Sequence, residues 1–234
     1  MPIMKKRKVK LAVRTKRGSK RSRPFFYANP IPAAVSLPIN IDTTKQKTYI
    51  AQYYTPTNDP AAVGFVMDDI GRGTSDTERV GSKWMPTALH LRGRVNANLA
   101  GNDTQILGYY VVWDKSPSGA AATFAQVFTG SSPFFAFPAS STDDRFEIIA
   151  AKRFNLTVQN TAPGEANSNS QHLVDHYIRL PGKHVCHSTI GTTSGAIVNR
   201  TMGALLMFMY TESAVGSQTT ANATLSHRIY FADV

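Results

Sequence analysis

Cysteine is almost missing: Cys186 is the only one in 234 residues. A lone thiol excludes an intramolecular disulfide and any structural zinc site built from several thiolates, and it suits a reducing compartment. Long apolar runs are missing too. The longest, residues 204–210, is strand-sized and far short of the about 18 apolar residues that a membrane span needs. The basic start looks like the first part of a secretory signal, but no apolar segment follows. Charge continues to Arg23, and Pro24, Pro30, Pro32 and Pro38 interrupt what comes next. The chain therefore reads as soluble, without a membrane span and not secreted. The Asn-X-Thr triplets beginning at Asn102, Asn155, Asn199 and Asn222 then read as chance matches.

Acidic residues are missing where the basic ones are densest. Residues 1–23 hold Lys5, Lys6, Arg7, Lys8, Lys10, Arg14, Lys16, Arg17, Lys20, Arg21 and Arg23, and no Asp or Glu. The whole chain has 26 Lys plus Arg and 15 Asp plus Glu, a net charge of +11. Removing the 11 arm cations from the 26 leaves 15 positives against 15 acids, so the rest of the chain is formally neutral. Such a segment is too charged and too poor in apolar groups to fold alone, and it is expected to be a disordered basic arm that neutralises phosphates. Lys5, Lys6, Arg7, Lys8 and Val9 also form a compact run of the kind that nuclear import receptors read. Residues 24–44 form a Pro-rich linker carrying Phe25, Phe26 and Tyr27. These rings can dock on the body or stack on bases, and docking is the favoured expectation.

From residue 45 onward the pattern is β. Leu89, Leu91, Val95 and Ala97 alternate with His90, Arg92, Arg94 and Asn96, which predicts one buried face and one polar, partly basic face. Phe154, Leu156 and Val158, and Leu225, Ile229 and Phe231, repeat the pattern. Residues 106–113 and 204–210 are apolar on both faces, as interior strands of a sandwich are. Further strands are expected at 48–54, 62–68, 172–180 and 184–190, and one short helix at 120–128. Eight or nine strands over 45–234, with long turn-rich connections, predict an eight-stranded jelly-roll β-sandwich.

Catalytic patterns are scarce. Gly71-Arg72-Gly73 lacks a third glycine and a following helix, and neither a nucleophile elbow nor a phosphate-binding loop is present. Asp68-Asp69 and Asp143-Asp144 point to opposite faces when extended; turn chemistry, or salt bridges to Arg72 and Arg145, accounts for them. His172, His176, His184, Cys186 and His187 fall within sixteen residues. If the two segments paired, a metal could be held; ordinary polar strand positions are the favoured reading, and neither metal nor cofactor is expected. Trp84, Trp113, Phe134, Phe135 and Phe137 are expected in the core or an interface. Lys45, Lys47, Arg92 and Arg94 are candidate phosphate contacts on the body, with acids at subunit seams as the alternative partners.

The order of several segments resembles the coat proteins of geminiviruses. They are Asp69-Ile70-Gly71-Arg72-Gly73, Arg79-Val80-Gly81-Ser82-Lys83 and Leu89 to Val95. They continue through Tyr110 to Lys115, Phe124 to Phe128, Asp144 to Ile148 and Ala204 to Tyr210, ending with Arg228-Ile229-Tyr230-Phe231. Several whitefly-transmitted geminiviruses carry Cys and His residues just before the stretch matching 63–69; this chain has neither between 45 and 63. The resemblance implies a jelly-roll capsid subunit that assembles with identical subunits into a closed T=1 icosahedral shell. It implies that residues 5–23 bind a single-stranded DNA genome and engage host nuclear import receptors, so that the protein is found in the virion and the host nucleus. Two rivals are carried beside it. One is a cellular β-rich nucleic-acid-binding protein with a basic tail that forms no shell. The other is a cupin-like enzyme, which the sparse His and Glu positions disfavour.

Overall fold

A computed structural model describes residues 45–56, 59–97, 105–129, 137–138, 144–156, 158–159, 168–169, 171–213 and 221–234. The expected arm and linker, and Phe134 and Phe135, lie outside the described residues. In chain order the strands are β1 (Lys45–Tyr54), β2 (Phe65–Val66), β3 (Lys83–Asn96), β4 (Gln105–Asp114), β5 (Phe128–Thr129), β6 (Phe137–Pro138) and β7 (Phe146–Leu156). They continue as β8 (Val158–Gln159), β9 (Ser168–Asn169), β10 (Gln171–Arg179), β11 (Cys186–Ser188), β12 (Arg200–Met202), β13 (Ala204–Ser213) and β14 (Asn222–Asp233). A single helical turn, α1 (Phe124–Val127), precedes β5.

The strands mate in nested antiparallel pairs: β1 with β14, β2 with β13, β3 with β10, and β4 with β7. That is a long hairpin folded over on itself. Cross-pairing of β14 with β3 and of β13 with β4 joins the pairs into two sheets. The first sheet runs β1-β14-β3-β10, with β11 and β12 continuing beside the start of β3; the second runs β2-β13-β4-β7. This is the expected eight-stranded jelly roll.

The core explains why these segments become strands. Leu89, Leu91 and Val95 of β3 and Leu225, Ile229 and Phe231 of β14 face Leu107, Tyr109, Val111 and Trp113 of β4 and Leu205, Met207 and Met209 of β13. The alternate residues of β4 and β13 form a second apolar layer with Phe124, Val127 and Phe128. These two strands are therefore apolar on both faces because α1 and its flanks cover the outside of their sheet. Trp84 and Trp113 are core residues, as expected.

Some boundaries differ from the sequence reading, for identifiable reasons. The helix expected at 120–128 is only four residues long, closed by a hydrogen bond from the Thr123 N–H to Gln126 Oε1 at 2.9 Å. The strand expected at 62–68 shrinks to Phe65–Val66, because Asp68 turns out of the ladder to bind Arg200. β3 starts six residues before the clean alternation, its register shifting opposite Tyr230 and Phe231 near Pro86. The start of β7 shows no alternation because a bulge opposite Val111 and Val112 breaks its register.

Candidate nucleic-acid interface

The outer face of the first sheet is set by the period of two. With Leu89, Leu91 and Val95 inward, His90, Arg92, Arg94 and Asn96 must point outward. On β14 the same rule turns Thr224, Ser226, Arg228 and Tyr230 outward, and on β10 it turns Leu173, Asp175, Tyr177 and Arg179 outward. Register then builds rows across the sheet. Thr48, Arg228, His90 and Tyr177 form one row; Ser226, Arg92 and Asp175 form the next; Thr224, Arg94 and Leu173 follow. Four exposed arginines (Arg92, Arg94, Arg179 and Arg228) share the face of β3, β14 and β10 with one carboxylate, Asp175.

Two backbone features shape this face. Gly93 has φ of +156°, and a Cβ there would collide with the Thr224 carbonyl oxygen and lie 2.8 Å from Leu225 Cα. Only glycine lets β14 press this closely against β3. In β1 a bulge between Tyr49 and Gln52 places Ala51 in the left-handed region at φ +47°, where its N–H donates to Ser226 Oγ at 2.9 Å. The bulge leaves Ile50 exposed on the rim of a groove of about 510 Å³ that Thr48, His90, Arg92, Ser226 and Arg228 also line.

The charges on this face are only partly engaged. His90 Nε2 lies 2.7 Å from Asp175 Oδ1, and Arg92 Nε is 3.5 Å from Asp175 Oδ2. The hydrogen bond from His90, helped by the charges of His90, Arg92 and Lys152, holds the Asp175 carboxyl below its ordinary range. Arg228 Nε donates to Thr48 Oγ1 at 2.8 Å, which leaves its charge without a neutralising acid in that contact. Anions can be held here by exposed guanidinium groups in a row.

The four body residues singled out from sequence do not come together. Arg92 and Arg94 lie on the outer face. Lys45 and Lys47 alternate with Gln46 and Thr48 and point the other way. Lys45 Nζ donates to the Glu78 carbonyl at 2.9 Å and pairs with Asp233 at 3.1 Å; Lys47 Nζ donates to the Asp69 carbonyl at 2.7 Å. Arg228 and Arg179, not singled out, join Arg92 and Arg94. The alternation of β14 around Leu225, Ile229 and Phe231 carries the signal for Arg228.

Asp68 pairs with another residue than the expected Arg72, while Asp144 lies in a turn, as the turn-chemistry reading has it; Asp143 lies outside the described residues. Asp68 is fully buried: Arg200 Nη1 donates to its Oδ1 at 2.6 Å, the Leu205 N–H to the same oxygen at 3.2 Å, and Cys186 Sγ to Oδ2 at 3.1 Å. Arg145 pairs with Asp114 at 2.8 Å, and Arg72 donates to the Val80 carbonyl. Burial pushes the Cys186 thiol well above its ordinary pKa.

The His and Cys group is dispersed. β10 and β11 both lie along the same edge of β3 rather than beside each other. His176 Nδ1 meets Tyr109 Oη at 2.6 Å, His172 Nε2 meets the Asn155 carbonyl oxygen at 3.1 Å, and His184 Nε2 is 3.3 Å from Glu147. Among the described residues no group of three or more His, Cys, Asp or Glu is placed to hold a metal.

The strand order defines a jelly-roll domain, and the arginine-bearing face gives it a surface that can hold anions. The chain belongs to the geminivirus coat protein/nuclear export factor BR1 family, whose pattern matches residues 3–234. It is 30% identical over 189 residues to the capsid protein of Bean golden yellow mosaic virus (isolate Puerto Rico-Japan), covering 78% of this chain and 71% of that one. It is 30% identical over 190 residues to the capsid protein of Tomato golden mosaic virus (strain Yellow vein), covering 78% and 72%. A chain of the T13 IBDV viral particle matches 80% of this chain and 31% of its own length at 11% identity and a TM-score of 0.33, too distant to bear on the fold. The family makes this a structural protein and not an enzyme.

Proposed function

We propose that this chain is a capsid protein that self-assembles around single-stranded DNA, with residues 5–23 and the arginine face of the first sheet holding the nucleic acid. The observation that carries the reading is the outward placement of Arg92, Arg94 and Arg228 on three successive rows of one sheet, in a chain whose residues 24–234 have a formal charge of zero. The capsid-protein names of the relatives support assembly. Neutral bodies pack against one another without strong repulsion, whereas basic arms repel until phosphates neutralise them. In a T=1 shell of about 60 copies the arms bring about 660 positive charges to the genome. Lys5, Lys6, Arg7, Lys8 and Val9 serve nuclear import before assembly, which gives the protein two locations, host nucleus and virion.

The test is deletion of residues 1–23, followed by DNA binding measured across a salt series. The body stays folded and most affinity disappears, together with much of the dependence of log K on log salt. An unchanged slope contradicts the assignment to the arm.

A further inference from the structure

The geometry points to an aromatic platform on the same face, formed by Tyr177, Tyr230 and His90, that stacks an unpaired base and so selects single-stranded over duplex nucleic acid. The inference rests on the reading of this face as the nucleic-acid interface, and it goes beyond that reading by naming what the face discriminates.

Ala88 lies at the centre of the platform. On β3 it pairs with Tyr230 of β14 on one side and Arg179 of β10 on the other. Alanine leaves a gap between the flanking strands, and two rings lean in to fill it. The centroids of Tyr177 and Tyr230 are 6.0 Å apart although their strands are separated by β3, and Ala88 is only 2% exposed beneath this face. His90 adds a third ring, 5.8 Å from Tyr177 and edge-on to it at 66°. Tyr177 remains 47% exposed, so ring surface is presented to solvent. Burying a tyrosine inward would stabilise the fold more than leaving it half open on a face already rich in charge.

The neighbours of the rings fit a nucleotide. Successive outward rows of a sheet lie about 6.8 Å apart along the strand. The Tyr177–His90–Arg228 row adjoins the Arg92 row, and Arg94 lies one row further. A strand whose base lies on the rings therefore has its phosphates over guanidinium groups. In a duplex the base faces are already stacked and only their edges are offered, so the rings contribute nothing. Charge complementarity favours this occupant over a second copy of the chain, whose body is neutral.

The test uses the full chain, a fluorescein-labelled oligothymidylate and a labelled duplex of equal length, at high salt, where arm contacts are screened and stacking is not. Tyr177→Ala is expected to weaken oligothymidylate binding about 5- to 100-fold and to change duplex binding less than about twofold. Tyr177→Phe, which keeps the ring, retains the single-strand affinity. A 5-bromodeoxyuridine oligonucleotide crosslinks to peptides containing Tyr177 or Tyr230. The double variant Arg92→Ala, Arg94→Ala, measured at low salt where phosphate contacts are not screened, reports separately on the face and weakens both ligands. If it does so while Tyr177→Ala leaves oligothymidylate binding intact, the platform is refuted and the interface stands. If the double variant changes neither ligand, the interface reading fails and the platform with it. Equal losses on both ligands in Tyr177→Ala, crosslinks confined to residues 1–23, or loss of self-association with unchanged affinity each overturn the platform.

Discussion

The two outer faces of the sandwich have the same backbone architecture and opposite chemistry. On the second sheet, Tyr110 and Val112 of β4 and Leu206, Phe208 and Tyr210 of β13 point outward and lie buried under Phe124, Val127 and Phe128. On the first, the equivalent positions of β3 and β14 hold His90, Arg92, Arg94, Ser226 and Arg228, open to solvent or nearly so. Strand pairing does not decide which face is covered; the alternate residues do. The second face is a stability element. The first is free to bind.

Phe208→Ala should give the largest effect. Phe208 is 3% exposed and packs edge-on against Phe124 and Phe128, so truncation is expected to cost about 3–5 kcal/mol. Arg92→Ala, exposed on the other face, should stay within about 0.5 kcal/mol. Urea unfolding followed by the fluorescence of Trp84 and Trp113 measures both. Equal losses would erase the contrast between the faces.

The contrast also divides two adjacent residues of β14. Arg228 points outward, whereas His227 points inward, its Nδ1 3.1 Å from Tyr54 Oη and its ring stacked 4.3 Å from Tyr49. Burial pushes His227 down to about 4, against the nearby Met67 backbone and the charge of Asp68, which raise it, and alongside Lys47, which lowers it. The unfolded chain then binds this proton from about pH 6.5 downward while the folded chain refuses it until about pH 4, so stability falls as pH drops through that window. The loss reaches about 3 kcal/mol at its acid end. Burial lowers His176 and His184 as well, and they act in the same direction. In chemical denaturation at stepped pH, His227→Gln should flatten the slope between pH 6.5 and 4, and an unchanged slope would remove His227 from the account.

Smaller effects sharpen the basic face itself. Replacing both Arg92 and Arg94 by Ala should reduce the slope of log K against log salt by about 2, one for each phosphate no longer neutralised. Asp175→Asn releases His90 and Arg92 and should raise nucleic-acid affinity by up to about fivefold, the worth of one exposed ion pair, with no loss of fold. Weaker binding in Asp175→Asn would mean that the carboxylate organises the face and does not compete with phosphate.

Much of this contrast is legible in the sequence. The alternation of residues 89–97 places Arg92 and Arg94 outward correctly, and the doubly apolar runs place β4 and β13 inside. Other features are hidden. Lys45 and Lys47 carry the right charge, but their direction depends on the register of β1 against β14. Asp68 reads as a turn residue because its partner, Arg200, is 132 residues away. The His and Cys group reads in sequence as ordinary polar strand positions, with a convergent set as the alternative, and spacing cannot decide between them because it does not show that β10 and β11 both lie along one edge of β3. Tyr177 and Tyr230 meet over Ala88 only once three strands are assembled, and no pairwise pattern announces that. Local period survives in the sequence; cross-strand neighbours do not.

The central claim is that the neutral body assembles while basic residues hold nucleic acid. Negative-stain electron microscopy of the purified full chain mixed with single-stranded DNA tests it most directly. The account predicts uniform closed particles whose DNA resists nuclease. Small discrete oligomers with DNA open to digestion would contradict it.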